Sequence, residues 1–361
     1  MVRIGILGCG YFGAEFARAV KEQDGMELVA VYSPGNSAER VSRELGCGRA
    51  ERMEDILEDA AIDAIIVATP NYLHHQHVLM AAEAGKHIFC EKPFALSWKD
   101  AAEMANACRN AHVTLMVGHI MHFYPGIAEV KAMVERGEFG EILTMHIERT
   151  GWEQKKAAVS WKKMQDQSGG HLFHHIHELD ILQWIMGVPV EIYGVGGNLG
   201  HQEGGFGNED DVLLLTARFR NGMFATMQYG SGFRVGNHVI RINGSRLGAV
   251  IDFKEAEVCL VDDQGKRRLP LFRDDGSAEA IKALFRRTDG GISYGSPQER
   301  PPQYILTALR KELRLFCQVI EGREIPPEYA DLFDGTSAVN SVQIAELGLR
   351  ARRSGKPVGA E

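Results

Sequence analysis

The first thirteen residues, MVRIGILGCGYFG, constrain this chain more than any other stretch. An apolar run from Val2 to Leu7 meets Gly8, Gly10 and Gly13, and a helical pattern, AEFARAVKE, follows at once. That order is strand, tight turn, helix. In it Gly8 permits the turn, Gly10 lets a pyrophosphate approach the backbone, and Gly13 lets helix and strand pack closely. The helix N-terminus then offers free N–H groups to an anion. Such a pattern arises by chance in a chain with 40 glycines, so the context decides: it follows a strand and opens a helix. Gly8, Gly10, Tyr11, Phe12 and Gly13 are therefore read as a dinucleotide-binding turn, against the alternative of a ligand-free βα turn.

Composition narrows the class. A chain of 361 residues is expected to form two domains. Its 45% hydrophobic and 24% charged residues suit a globular enzyme. A net charge of −8 with no Lys/Arg block argues against a nucleic-acid partner. No apolar run approaches the ~20 residues needed to cross a bilayer, and the chain opens on a strand rather than a signal segment. The six cysteines (9, 47, 90, 108, 259, 317) show no CxxC. They read as buried free thiols, and the expected compartment is the reducing cytoplasm.

Four more apolar strands follow at 26–33, 63–70, 86–93 and 113–119, with helices at about 72–84 and 97–111. This alternation implies a doubly wound parallel sheet, whose ligands lie beyond the strands' C-terminal ends. The chemistry is thus expected at residues 8–13, at Thr69, Pro70 and Asn71, at Glu91, Lys92 and Pro93, and at 118–122. The second strand ends on Ser33, where an NAD-preferring fold usually carries an acid for the ribose. Ser33 and Arg40 leave room for a 2′-phosphate. The cofactor is read as NAD or NADP, with NADP favoured; the alternative makes Ser33 a cap and Arg40 a solvated helix residue.

The block ATPNYLHHQHVLMAAEAGKHIFCEKPFALSWKDA resembles the signature of the glucose–fructose oxidoreductase / inositol dehydrogenase / MocA (Gfo/Idh/MocA) family. The matching pieces are Thr69-Pro70-Asn71, His74, Ala84-Gly85-Lys86-His87 and Glu91-Lys92-Pro93; the ending LGLRARRSGKPV is similar as well. The resemblance implies an α/β chain: an N-terminal Rossmann domain over 1–122, then an α+β domain over 123–361. The second domain would hold a large, mainly antiparallel open-faced sheet, binding substrate and joining copies of the chain into a homodimer or homotetramer. It also assigns Lys92 to the reacting hydroxyl, often before a cis proline. Physically, a Lys at a half-buried strand end is a usable acid or base; the bland alternative is a snorkelling surface Lys. His74 and Glu91 are expected beside the cofactor.

Beyond 123 a helix at 125–142 precedes β-rich segments at 142–151, 191–199, 211–232, 238–253 and 257–263. The turns Arg220-Asn221-Gly222 and Asn243-Gly244 signal hairpins. Residues 285–303 read as a loop, and two helices close the chain near 304–321 and 336–353. The segment SGGHLFHHIHELDILQWIMG (168–187) is similar to the family's second signature, one residue short and without its usual Asp. Either Phe173 or His174 falls in that place. His177 carries over as a proton-handling residue, His174 as the substitute for the missing carboxylate, and Asp180 as a substrate contact. His119, His122, which replaces a common family Arg, and Trp161 complete the expected substrate site. No metal is expected there, because hydride transfer needs none and HxxH alone is a weak ligand pattern.

The leading functional reading is an NAD(P)-dependent oxidoreductase acting on a secondary alcohol of a sugar, cyclitol or sugar derivative. The alternatives are a cofactor-retaining glycosidase or lyase working by transient oxidation, and a non-catalytic dinucleotide sensor or scaffold.

Overall fold

The computed structural model describes residues 1–156, 158–273, 275–287 and 300–360. Six strands form the first sheet: β1 (Val2–Leu7), β2 (Met26–Tyr32), β3 (Gly48–Arg49), β4 (Ala64–Val67), β5 (His87–Cys90) and β6 (Leu115–Val117). Their order is β3-β2-β1-β4-β5-β6 and every pairing is parallel. Helices cover both faces, so the strands read as continuous apolar runs and Ile4, Ile6, Ile65, Ile66, Ile88 and Phe89 are fully buried. The strand β3, two residues long, carries no period to read in the sequence. Strand order reverses between β1 and β4, which is where ligands bind in such sheets.

Residues 305–342 belong to this first unit along with residues 1–120 and Arg300. Phe316, on the helix Gln303–Ile320, meets the Phe89 ring of β5 at 5.8 Å between centroids. Gly335 stands against Ala105, where a Cβ would lie 2.8 Å from that methyl group. A single cut after 122 therefore does not describe the chain. The late helices carry apolar faces that complete the first core, and amphipathicity alone names no partner.

The second unit holds a sheet of nine strands. They are β7 (Ile142–Thr150), β8 (Glu191–Gly197), β9 (Val212–Arg218), β10 (Phe224–Gly230), β11 (His238–Gly244), β12 (Gly248–Asp252), β13 (Glu257–Asp262), β14 (Gly265–Pro270) and β15 (Val358–Gly359). The order is β14-β13-β12-β11-β7-β10-β9-β8-β15. Only β7 and β10 pair in parallel; the other pairings are antiparallel. Alternation is strict in β9: Leu213, Leu215 and Ala217 are buried while Leu214, Thr216 and Arg218 are exposed. Leu172 and Leu215 crowd Gly348 of the helix Thr336–Ser354, so helices cover the inner face.

The hairpin turn between β11 and β12 falls at 245–247, one residue after Asn243-Gly244, which ends the strand instead of turning it. Of the loop expected at 285–303, residues 285–287 close the helix Asp275–Arg287, and 288–299 lie outside the described residues. All six cysteines are free thiols, four of them buried, and burial pushes Cys9, Cys108 and Cys317 up to about 12.

Candidate active site

In the first unit the glycine turn has the geometry its sequence demands. Gly8 adopts φ +97°, and a Cβ there would lie 2.5 Å from the Ala68 carbonyl oxygen. A Cβ on Gly13 would lie 1.8 Å from the Gly8 carbonyl oxygen, so only hydrogen fits where helix crosses strand. Over Gly10, by contrast, a Cβ would meet nothing within 4 Å. Gly10 caps the helix Tyr11–Glu22 with no side-chain hydrogen bond, and the first turn holds no acid. Open space above a helix N-terminus without a side-chain cap fits a dinucleotide pyrophosphate. Tyr11 and Phe12 lie in that first turn, their rings edge-on at 5.2 Å. Ser33 follows β2 and accepts a hydrogen bond from Ser37 Oγ at 3.0 Å; Arg40 is exposed on the next helix.

Beyond β4, Asn71 is buried in a short turn, and Thr69 Oγ1 pairs with His77 Nδ1 at 3.0 Å. His74 is sealed in, 1% exposed, with Nδ1 2.8 Å from the Pro93 carbonyl and Nε2 2.9 Å from the Thr69 carbonyl. Burial lowers its pKa, so the neutral ring donates to one carbonyl at a time. His74, expected beside the cofactor, clamps the turn after β4 to the turn after β5. Lys86 is structural too, donating to the Asp59 and Ile62 carbonyls at 2.7 and 2.8 Å.

The clamped turn carries the chemistry. Glu91 and Lys92 follow β5, both half-buried; the Lys92–Pro93 peptide is cis, and the Lys92 backbone N–H donates to Glu91 Oε2 at 3.1 Å. An ammonium at this strand end, on the sheet edge where ligands bind, can hold a hydroxyl and move its proton. His119, after β6, is fully buried. Glu312, on the helix Gln303–Ile320, was missed by sequence reasoning: its buried carboxyl is pushed up by desolvation and by Glu91. Nothing in local spacing marks a helical Glu as facing a strand end two hundred residues earlier.

In the second unit the histidine segment divides by burial. His171 and His175 are buried, their rings stacked at 5.5 Å, while His174 is half-exposed and edge-on to His175. Phe173 fills the space beside Gly169 and is fully buried. Of the two alternatives for the missing Asp, only His174 carries a polar side chain and is not fully buried. His177 is nearly buried and opens the helix His177–Met186.

Three residues on, Asp180 turns inward. Its Oδ2 lies 2.7 Å from His122 Nε2, and its Oδ1 accepts from Gln183 at 3.1 Å. The His122 ring stacks on Trp184 at 3.9 Å. Both His122 and Asp180, which the sequence suggested as substrate contacts, are fully buried and spend polar atoms on each other. Trp161 is half-buried in the short turn Trp161–Lys163, with Lys162 Nζ 5.9 Å from its ring centroid.

Beside His177, Glu178 anchors a buried network that sequence reasoning also missed. It pairs with Arg149 and lies 2.6 Å from His238 Nε2. Burial alone would raise this carboxyl, but Arg149 and His238 hold it at about 2, while burial and Arg149 push His238 to about 4. Among the described residues, ligand atoms suited to a metal converge at His75, Asp100 and Glu103, not at the histidines of 171–177.

The pattern of an oxidoreductase family with an NAD-binding Rossmann fold matches residues 2–119, and that of its C-terminal alpha/beta domain matches residues 131–359. The chain is 39% identical over 361 residues to 2,7-anhydro-N-acetylneuraminate hydratase of Escherichia coli (strain K12), covering 99% of this chain and 97% of that protein. It is 36% identical to the protein of the same name from Mediterraneibacter gnavus, covering 96% and 93%. A solved levoglucosan dehydrogenase, in complex with NADH and levoglucosan, shares the fold at a TM-score of 0.79 and 20% identity, covering 99% of each chain. No helix among the described residues is long and apolar enough to cross a membrane.

Proposed function

Because the chain belongs to the Gfo/Idh/MocA oxidoreductase family, we propose that it acts on a secondary alcohol of an anhydro-sugar by transient oxidation, recovering its nicotinamide cofactor unchanged. The observation that carries the reading is Lys92, half-exposed in a turn that His74 clamps at the C-terminal edge of the parallel sheet. The two relatives named hydratase, matched along nearly their whole length, favour this reading over a simple dehydrogenase. When bound, the nicotinamide supplies and takes back a hydride. The residues that would hold it are Gly8, Gly10, Tyr11, Phe12, Gly13, Thr69, Pro70, Asn71 and Glu91. Ser33 and Arg40 carry no negative charge toward a ribose 2′-phosphate, so NADP is accepted as well as NAD.

Lys92 hydrogen-bonds the reacting hydroxyl and moves its proton. His177 is the second proton-handling residue, and His174 takes the place of the missing family carboxylate. A hydroxyl carbon held briefly as a carbonyl acidifies its neighbouring C–H, which permits a ring C–O bond to break and water to add. The solvent face of the nine-stranded sheet carries Tyr193, Val195, Leu214 and Phe224, and a second copy of the chain is proposed to cover it. The proposed compartment is the cytoplasm.

The test supplies 2,7-anhydro-N-acetylneuraminate with NAD or NADP in deuterated water. The expected result is hydrated sugar with solvent deuterium at a carbon and no net change in nicotinamide absorbance. A stoichiometric absorbance rise with myo-inositol or levoglucosan, and no hydrated product, would make the protein a plain dehydrogenase. Dinucleotide binding without turnover of any of the three would leave a sensor.

A further inference from the structure

Past the parallel ends of β7 and β10 the chain continues as a short ribbon. Gly151 N–H donates to the Gly230 carbonyl at 3.0 Å, Glu153 N–H to the Ser231 carbonyl at 3.0 Å, and Phe233 N–H to the Gly151 carbonyl at 2.9 Å. This ribbon fixes Trp152 opposite Gly232. On the Trp152 ring lies the Arg234 guanidinium, 3.6 Å from the ring centroid. His201 also meets the ring, at 4.7 Å and tilted. Arg234 is exposed, and among the described residues it has no carboxylate partner. The acids of the neighbourhood are already engaged. Lys163 takes both Glu153 and Glu209 at 2.9 and 2.8 Å, and Asp211 accepts the N–H groups of Leu199 and Gly200 at 2.7 Å each.

The platform is wired to the histidine segment. His201 Nδ1 lies 3.4 Å from Ser231 Oγ, Ser231 Oγ lies 3.3 Å from His171 Nε2, and the His171 ring stacks toward His175 and His174. A guanidinium held 3.6 Å over an indole ring is restrained by it and loses little entropy on binding. Its N–H edge matches a carboxylate in bidentate geometry.

We infer that Arg234, held on Trp152, is the subsite for the carboxylate of an acidic sugar substrate and sets the enzyme's preference for acid over neutral sugars. The inference rests on the anhydro-sugar reading above and names the substrate class within it. It requires Arg for its planar fork; a Lys would supply charge without the paired N–H edge.

The experiment titrates 2,7-anhydro-N-acetylneuraminate and its methyl ester into NADH-loaded enzyme by calorimetry, for the wild type, Arg234→Met, Arg234→Lys and Trp152→Leu. The wild type is expected to bind the acid at least roughly tenfold tighter than the ester, the scale of one charge-assisted contact. That ratio should fall to near one in Arg234→Met and to intermediate values in the other two variants. An unchanged ratio in Arg234→Met, or a wild-type ratio near one, overturns the inference. Binding of neither compound by the wild type overturns it together with the anhydro-sugar reading. An Arg234-dependent ratio without hydration of the acid leaves the subsite standing and removes the hydratase reading alone.

Discussion

Among single side chains, Lys92 separates chemistry from binding. Its ammonium lies beyond the strand end, while its backbone is fixed by Glu91 and by the His74 clamp on Pro93. Lys92→Met should therefore keep the turn and the dinucleotide affinity but lower kcat by roughly 10²-fold or more, the usual cost of removing a general acid or base. Stopped-flow turnover with a cofactor titration checks this; a variant working near the wild-type rate would remove Lys92 from the mechanism. The same scale shows why charge in a sequence does not equal function. Asp180 and His122 satisfy each other inside the second unit, and Lys86 serves two carbonyls, although all three sit in family-like motifs.

The strand–turn–helix element at the N-terminus distinguishes its glycines by what surrounds each one. Gly13→Ala would drive a methyl group into the Gly8 carbonyl, at 1.8 Å before relaxation, so the turn must shift. Melting should show a loss of roughly 1–3 kcal/mol, the range for overpacking, along with weaker dinucleotide binding. Gly10→Ala meets open space in the protein. It should melt close to the wild type and still lose dinucleotide affinity, because its methyl occupies the path of the pyrophosphate. If Gly10→Ala binds NAD as the wild type does, the pyrophosphate does not cross Gly10. This division of roles was legible in the sequence, since a G-x-G-x-x-G turn between strand and helix has little freedom to vary.

For the whole molecule, buried imidazoles tie stability to pH. Burial lowers His77 and His238 to about 4, and His74 and His171 shift the same way. The folded protein keeps these rings neutral while the unfolded chain takes up protons below about 6.5, so stability is full above that pH and declines toward pH 4. At pH 5 the loss should be on the order of 2 kcal/mol for each of His77 and His238. Denaturant midpoints at pH 7.5 and 5 measure it, and His77→Gln should flatten the slope. A midpoint independent of pH across that window would show that these rings titrate alike in both states.

Local order determined the first sheet. Apart from the two-residue β3, each parallel strand is a largely apolar run because helices cover both faces, and the turns after β1, β4 and β5 announced themselves by Gly or polar residues at strand ends. The middle of the nine-stranded sheet was legible, most clearly from alternation in β9 and β10; the edge strands β14 and β15 were not, nor was the parallel β7–β10 pairing, which joins strands some eighty residues apart. Tertiary structure alone decided which polar groups face inward. It returned residues 305–342 to the first core, brought Glu312 toward Glu91, closed Arg149 and His238 on Glu178, and laid Arg234 on Trp152. The physical reason is reach. A hydrophobic period or a glycine turn acts over a few residues, whereas a buried charge is settled by whichever partner the fold carries to it from far along the chain.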